Sequence, residues 1–519
     1  MCCVTSSVAF SKFGKRSRVS VAHRFTHAPL HGGKMGAASP PLRSVEELSE
    51  TIGWSWYQWR LFFFVGLCVT ADSIEVNLLS FLSVESTRDW HLEEFWEDTV
   101  AAAVFMGEIT GCFVFGMFAD AFGRLPAFIV GVACVSLFGV ASALSANLEQ
   151  LLLMRFGVGL GIGGFTVPFD LLAETCPNNL RGLVLSALWM FWTFGSVALN
   201  IVAAYCLRDE DGENQGKTPP GWRWLTFFAA IPPLVSLFGV GIVDESPSWL
   251  ATRGRGAEAK AIVLRAAATN GVDLDPNFEV APEPEHNAGV AQLFTEGNWF
   301  RTLCLWSLNY TTHFAYYGVV LFLPRILGAS AKDPYNFDAL LLSCIGEVIG
   351  SLVSCYSIVR VSRRVLLTSS MAVLTLSIPI VLIEAMPQWS MVLAALVARG
   401  SAMAASASTW IVTPEGYHTE VRATGHSWGN LLARLGALLT TYWGGINIAE
   451  GLKVGSYVLI AAIGVVIAYI LPDGVMHTGL VSKLDEVKAG GAGDEGLDGN
   501  EGAKLNKGEG EGKYGSVAD

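Results

Sequence analysis

Residues 107–124 read GEITGCFVFGMFADAFGR, and residues 346–364 read GEVIGSLVSCYSIVRVSRR. Each stretch opens on a glutamate in a Gly-Glu-x-x-Gly frame, continues through an apolar run and closes on arginine. Glu108 and Glu347 are 239 positions apart, and so are Arg124 and Arg363. A second pattern also recurs: Glu-x6-Arg appears as ETCPNNLR (Glu174 to Arg181) and as EGYHTEVR (Glu415 to Arg422). Each copy follows a lone arginine in an apolar run, Arg155 and Arg399 respectively. One charged pattern is used twice, in the same order.

The surrounding composition sets the environment. Of 519 residues, 52% are hydrophobic and only 15% are charged, against about 25% charged in an ordinary soluble domain. Residues 125–148, 182–207, 224–243, 302–324, 365–383 and 454–472 contain no Asp, Glu, Lys or Arg. Each run approaches the ~20 residues that a helix needs to cross the hydrocarbon core. Six more apolar runs, at roughly 61–83, 99–119, 149–170, 338–359, 389–412 and 425–446, carry few charges. The runs are continuous rather than alternating, and backbone in lipid must satisfy its own hydrogen bonds, so helices are expected rather than strands. The expected fold is an all-α membrane protein with twelve transmembrane helices in two six-helix halves.

The expected organisation follows from this count. Residues 1–55 form a basic flexible arm and 56–243 the first half. A cytoplasmic loop with short helices covers 244–300, the second half covers 301–472, and 473–519 form a disordered acidic, Gly-rich tail. Residues 1–45 hold seven Lys or Arg and no acid. That composition suits an organellar transit peptide, or a cytoplasmic arm whose charge obeys the positive-inside rule, which needs no import machinery. Arg124, Arg181, Arg360, Arg363, Arg364 and Arg422 also fall on the side expected to be cytoplasmic, whereas SVESTRDWHLEEFWED on the other side is acidic. Both termini are therefore expected inside, in a multi-pass protein of a plasma or organelle membrane. In the loop, Ser246-Pro247 is a helix start and Asn270-Gly271 a stop, while PNFEVAPEPEHNAGV reads as a linker.

Net charge is −12, with much of the acid in the loop and tail, so no basic stripe for nucleic acid is present. The ten cysteines are scattered singly, without zinc or disulfide spacing. No metal-ligand cluster, nucleophile elbow or phosphate loop appears, and an enzyme is not expected. GVGLGIGG lies inside a membrane run, where it lets helices approach. Two six-helix halves with matching charges at matching depths are what alternating-access carriers are built from.

At these residues the sequence resembles the major facilitator superfamily. GMFADAFGR resembles that superfamily's loop between spans two and three, RFGVGLGIGG its fourth helix, and DESPSWL and GWRW segments of its sugar and organic-ion carriers. ADSIEVNLLSFL, FAYYGVVL and ARLGALLT resemble the synaptic-vesicle-protein-related branch, near the organic-cation and organic-anion transporters and the carriers of nicotinate-like compounds. There are departures. Ala121 stands where the family usually has a basic residue, Val359 replaces the acid of the second copy, Ser362 replaces a glycine, and Ser248 stands where sugar carriers usually have arginine.

The resemblance and the cost of buried charge together nominate site residues. An ionisable group at mid-membrane depth costs roughly 2.5–3.5 kcal/mol on insertion scales and is a functional hypothesis by default. Asp72 and Glu75 are three apart and share one face of the first helix. The resemblance implies that Arg155 is the arginine paired with a helix-one acid in proton-coupled sugar carriers. Asp72 is accordingly expected as the proton site, tuned by Arg155, with a static ion pair as the bland reading. Glu108 and Glu347 either hold helices together across close glycine contacts, form a second proton site, or line the path.

Arg434 resembles the arginine that organic-anion carriers place in helix eleven, and a guanidinium there would fork a carboxylate. Tyr316, Tyr317, His313, Trp192 and Asn200 are expected beside the substrate, with Trp189, Phe314 and Trp428 as further aromatics. Asp120, Arg124, Glu174, Arg181, Glu245, Arg363, Glu415 and Arg422 are expected to form a cytoplasmic gate that latches one conformation. The expected function is a monomeric secondary carrier of a small organic anion or zwitterion, nicotinate-like, driven by the proton gradient and needing no cofactor. Its partners are the substrate and the bilayer, not nucleic acid. The rivals are a neutral sugar or polyol facilitator and a non-transporting receptor or scaffold.

Overall fold

The computed structural model describes residues 40–93, 95–207, 220–283, 290–295, 298–328, 335–382, 387–417, 421–446 and 449–471. The basic arm before residue 40 and the tail after 471 lie outside the described residues.

Twelve helical spans occur among the described residues. Six make the first half: Trp56–Asp89, Phe95–Phe122, Arg124–Ala143, Leu148–Thr175, Asn178–Leu207 and Gly221–Ile242. Span four bends at Gly164-Phe165 between two helices, and span six is likewise built from short helices in series. The second half comprises Trp299–Gly328, Phe337–Arg360, Arg363–Leu382, Gln388–Glu415, Arg422–Gly445 and Glu450–Ile470. Ten of the twelve are long and apolar enough to cross a membrane on composition alone. The remaining two are spans seven and eleven. They carry Asn309, Thr311, Thr312 and His313, and His426, Asn430 and Arg434, all buried. Their polarity faces the protein interior, while the outer faces of other spans show Leu137, Phe194, Phe238, Leu376 and Leu459, as a lipid-facing surface requires.

The repeat is visible in packing. A Cβ on Gly107 or Gly111 of span two would lie 2.2 or 2.1 Å from the carbonyl oxygens of Phe156 or Leu160 in span four. In the second half, a Cβ on Gly346 or Gly350 of span eight would lie 2.0 Å from the carbonyl oxygens of Leu396 or Gly400 in span ten. The Gly-Glu-x-x-Gly frame therefore brings two backbones into contact in each half. The halves meet along a seam where span five packs on span eight, span two on span eleven, and span one on span seven.

The loop departs from the expected boundaries. Ser246 caps the helix Pro247–Thr252, and Gly271, at φ 71°, ends the helix Gly256–Asn270. Leu42–Arg43, however, pairs in parallel with Glu279–Val280, and Val45–Ile52 is helical. Val45, Leu48 and Ile52 share a small core with Trp249, Val263, Phe278 and Val280. The last part of the stretch expected as a flexible arm, and the start of the expected linker, thus fold together. Burial of isolated apolar residues such as Leu48 and Phe278, too few to give a periodic signal, supplies the physical reason.

Candidate functional site

Four carboxylates and three guanidiniums lie buried at the middle of the bundle among the described residues: Asp72, Glu75, Glu108, Arg155, Glu347, Arg399 and Arg434. All are helical, so each is fixed by backbone geometry rather than by a loop. Three arginines face four acids, and their pairing differs from the expected one in an important respect.

Arg155 does not meet Asp72. Its Nη1 donates to Glu75 Oε2 at 2.7 Å and its Nε to Ser142 Oγ at 2.9 Å. The helical offset of three residues places Asp72 and Glu75 on one broad face, yet it turns them toward different neighbours. Asp72 Oδ2 instead accepts from Arg434 Nη2 at 2.8 Å, across the seam between halves. Arg434 Nη1 donates to Tyr317 Oη at 2.9 Å and lies 3.0 Å from Glu108 Oε2. The residue expected to bind substrate and the residue expected to bind the proton are one ion pair.

Glu347 has its own cation. Its Oε1 accepts from Arg399 Nε and Nη2 at 2.9 and 2.8 Å and from Tyr316 Oη at 3.1 Å. Arg399 Nη2 also reaches Asn77 Oδ1 at 3.0 Å and Ser196 Oγ at 2.8 Å in the other half. Trp192 Nε1 donates to Tyr316 Oη at 2.7 Å, continuing a hydrogen-bonded chain between the halves.

Beside these pairs lies a narrow cavity. Asp72, Arg434, Tyr316, Tyr317, Trp192 and His313 line it, together with Trp189, Ser406, Trp410 and Asn430. Its contiguous free space suits on the order of one water rather than a ring, so the site is occluded. His313 donates from Nδ1 to the Asn309 carbonyl at 2.8 Å, which leaves Nε2 to accept from Ser406 Oγ at 3.2 Å. Asn200, expected at the substrate, instead donates to the Ser196 carbonyl at 2.8 Å and contacts Cys344 Sγ at 3.4 Å. Phe314 packs on Tyr457, and Trp428 stacks on Trp306, so neither lines the cavity. Asn430, Ser406 and Trp410 escaped the sequence reading, and Arg399, the partner of Glu347, was read as part of the repeat but not as a site residue. Asn430 had a signal, since it precedes Arg434 by four residues and therefore shares its helical face.

Both ends of the cavity are covered by contacts between halves. Toward one end, Tyr335 Oη donates to Glu85 Oε1 at 2.8 Å, and Phe81 packs against Tyr335 and Phe337. Toward the end that carries Arg124 and Arg363, Phe169 meets Trp410 and His426, Trp189 meets Trp410, and Asp170 lies 3.8 Å from His426.

The expected gate residues form braces within each half. Arg124 pairs with Asp120 at 2.9 Å, lies 3.8 Å from Glu174, and donates to the Ala119 carbonyl at 3.1 Å. Glu245 accepts from the backbone N–H of Arg124 and Ser246 at 2.9 and 2.8 Å, capping the start of span three as helix-end charge favours. Glu174 accepts from the Ser246 hydroxyl. Arg363 repeats the arrangement: it donates to the Ile358 carbonyl, five residues back as in the first copy, and pairs with Glu415 at 3.3 Å. Arg181 turns to the Cys176 carbonyl at 3.5 Å. The side chains of Arg422 and Val359 lie outside the described residues. Each of these contacts lies within one half or joins the first half to the loop, and they stiffen helix ends.

Twelve spans in two repeats around an occluded, charged seam define a membrane carrier of the major facilitator fold, not an enzyme. The family described as sugar (and other) transporter matches residues 47–482, and the chain belongs to it. It is 26% identical over 419 residues to the synaptic vesicle 2-related protein of Bos taurus, covering 77% of this chain and 74% of that one. It is 26% identical to organic cation/carnitine transporter 7 of Arabidopsis thaliana (81% and 90% covered). The niacin transporter NiaP of Acinetobacter baylyi is 25% identical (74% and 85% covered). Among solved structures, the partially occluded inward-open xylose transporter XylE from E. coli superposes with a TM-score of 0.65 at 15% identity. That match covers 82% of this chain and 99% of the other, and it shows the fold alone.

Proposed function

We propose that this protein is a proton-coupled secondary carrier of a small organic anion or zwitterion, with a nicotinate-like aromatic carboxylate as the representative substrate. The observation that carries this reading is Arg434, a buried guanidinium in the cavity wall that is held by a carboxylate from the opposite half. A substrate carboxylate can fork the same guanidinium, and the tryptophans and tyrosines of the cavity offer ring faces beside it.

Charge then dictates the coupling. Arg434 faces Asp72 and Glu108, so one positive charge already meets two acids. A third carboxylate enters only if an acid gives up its charge, which requires proton uptake. Opening the seam separates Arg434 from Asp72, so binding and gating act on one ion pair. Relatives named for niacin and for organic cations and carnitine support a small organic ion, and niacin and carnitine both bear a carboxylate. The basic loops support an orientation with both termini on the cytoplasmic side.

The test is uptake of labelled nicotinate into liposomes holding the purified protein, with and without an inside-alkaline gradient. Gradient-driven accumulation, competed by carboxylates and lost in Arg434→Lys, is the expected result. Uptake of xylose or glucose with no effect of the gradient would replace this reading with a sugar facilitator, and silence toward all classes with a scaffold.

A further inference from the structure

We infer that Glu108, and not Asp72, carries the proton in the occluded state, held neutral beside an Asp72–Arg434 pair that bridges the two halves. The inference deepens the proposed function by placing the resident proton of the substrate-free site on a side chain, and the location of that proton can be tested without transport.

The geometry distributes three arginines among four acids. Glu75 has Arg155, with a hydrogen bond of 2.7 Å. Glu347 has Arg399 and the Tyr316 hydroxyl. Asp72 and Glu108 share Arg434, and they share it unequally. Asp72 Oδ2 accepts a hydrogen bond from Nη2 at 2.8 Å. Glu108 Oε2 lies 3.0 Å from Nη1, yet neither Glu108 oxygen has a hydrogen-bond partner among the described residues, while the same Nη1 donates to Tyr317. With all seven groups ionised, the buried set would carry three positive and four negative charges, and the surplus charge falls on the acid without a donor.

The surroundings of Glu108 leave no other source of compensation among the described residues. Its side chain is fully buried. Span four presents Gly159 and Gly163, whose Cα positions leave no room for a side chain against span two. The arginine of that span, Arg155, is turned to Glu75. Span one presents Asp72 and Glu75, both acids, and span seven presents the Tyr317 hydroxyl, which accepts from Arg434 and is not a hydrogen-bond partner of either Glu108 oxygen. Span eleven supplies Arg434, with Asn430 four residues earlier and bonded to Cys112 Sγ of span two at 3.4 Å. A buried carboxylate that shares its one cation with a better-bonded acid takes a proton rather than keep its charge.

With Glu108 neutral, three arginines face three carboxylates, and the buried set is balanced. A substrate carboxylate that takes the place of Asp72 on Arg434 restores a surplus negative charge, so its entry calls for one further proton, on Asp72. That proton enters with the monovalent anion and leaves with it, so transport of a monoanion is electroneutral.

The deciding measurement is the infrared carbonyl band of a neutral carboxylic acid in purified protein at pH 7, compared with Glu108→Gln and Asp72→Asn. Glutamine matches a neutral glutamic acid in size, so Glu108→Gln is expected to fold with unchanged thermal stability and to lose the band. Asp72→Asn, by handing Arg434 to Glu108, is expected to lose it as well. A band kept in Glu108→Gln but lost in Asp72→Asn would move the proton to Asp72 and overturn the assignment, as would a wild-type spectrum without the band. In liposomes, a nicotinate uptake rate that responds to membrane potential would overturn the electroneutral cycle. Liposomes silent toward nicotinate would reject the substrate reading and leave the infrared result standing by itself.

Discussion

The two halves contain the same parts and wire them differently. In the second half Glu347 of span eight meets Arg399 of span ten, so the repeat's acid and arginine neutralise one another at home. In the first half the equivalent arginine, Arg155, is taken by Glu75 of span one. Span seven, the counterpart of span one, contains no Asp or Glu at all. Glu75 therefore takes the arginine of span four and leaves Glu108 to Arg434 in the other half. The backbone repeat, set by glycines, is kept; the charge repeat is broken at Asp72, Glu75 and Arg434, none of which has a charged counterpart in the other half.

The largest test of this contrast removes the two arginines separately. Arg399→Leu leaves Glu347 buried without a cation, and Arg434→Leu leaves Asp72 so. Each is expected to cost about 3–5 kcal/mol at neutral pH, the usual result of removing one partner of a buried pair. The rescues should differ by half: Glu347→Gln restores the first, and Asp72→Asn the second. Thermal unfolding in detergent reads both. Rescue of Arg434→Leu by Glu75→Gln instead would mean that Glu75 and Asp72 have been assigned to the wrong arginines.

How much of this was legible beforehand depends on which physical force set each feature. The spans, the repeat and the close glycine contacts were readable because lipid forces continuous apolar runs and tight packing forces glycine. The set of buried charges was readable for the same reason, since a guanidinium such as that of Arg434 is too costly in an apolar run unless it faces the protein interior. The pairing was not. Asp72 and Glu75 differ by about 300° around the helix axis, at ~100° per residue, and no sequence pattern says which of them faces span four. Spacing likewise gave no reason for Asn200 to turn to its own helix or for Arg181 to leave the network. The fold of Leu42–Ile52 against Phe278 was hidden because a parallel pair of two-residue strands has no periodicity to detect.

The glycines offer a smaller and stricter test, since they probe what the halves share. Gly111→Ala and Gly350→Ala would each drive a methyl to within about 2 Å of a carbonyl oxygen in the partner helix. Each is expected to cost about 1–3 kcal/mol, as overpacking does, and the two losses should be equal within error. Gly116, on the same helix as Gly111, has nothing within 4 Å of its would-be Cβ. Gly116→Ala should therefore be neutral or gain up to about 1 kcal/mol of helix propensity. A loss at Gly111 without one at Gly350 would show that the packing, like the charge, is asymmetric.

The smallest expected effect lies where the central loop braces the first half. Trp249 and Arg253 of the loop donate to the Asp120 carbonyl at the end of span two, and the stretch of loop after Val280 carries Glu283. Burial pushes the Glu283 carboxyl above its usual 4.5, the Ser248 hydroxyl pulls it back by bonding the charged form, and the Glu46 carboxylate pushes it up again. A carboxyl whose folded value is raised favours the folded state most when protonated. The docking of Leu42–Ile52 on the loop should thus be tightest below pH 4.5 and loosen as the pH rises through the shifted value. Because the group is partly exposed, the effect is well under about 1 kcal/mol. Hydrogen exchange of the Val45–Ile52 amides, corrected for intrinsic rates, should show protection falling with pH in the wild type and flat in Glu283→Gln. Equal slopes in the two proteins would remove Glu283 from the brace and leave Trp249 and Arg253 to hold it.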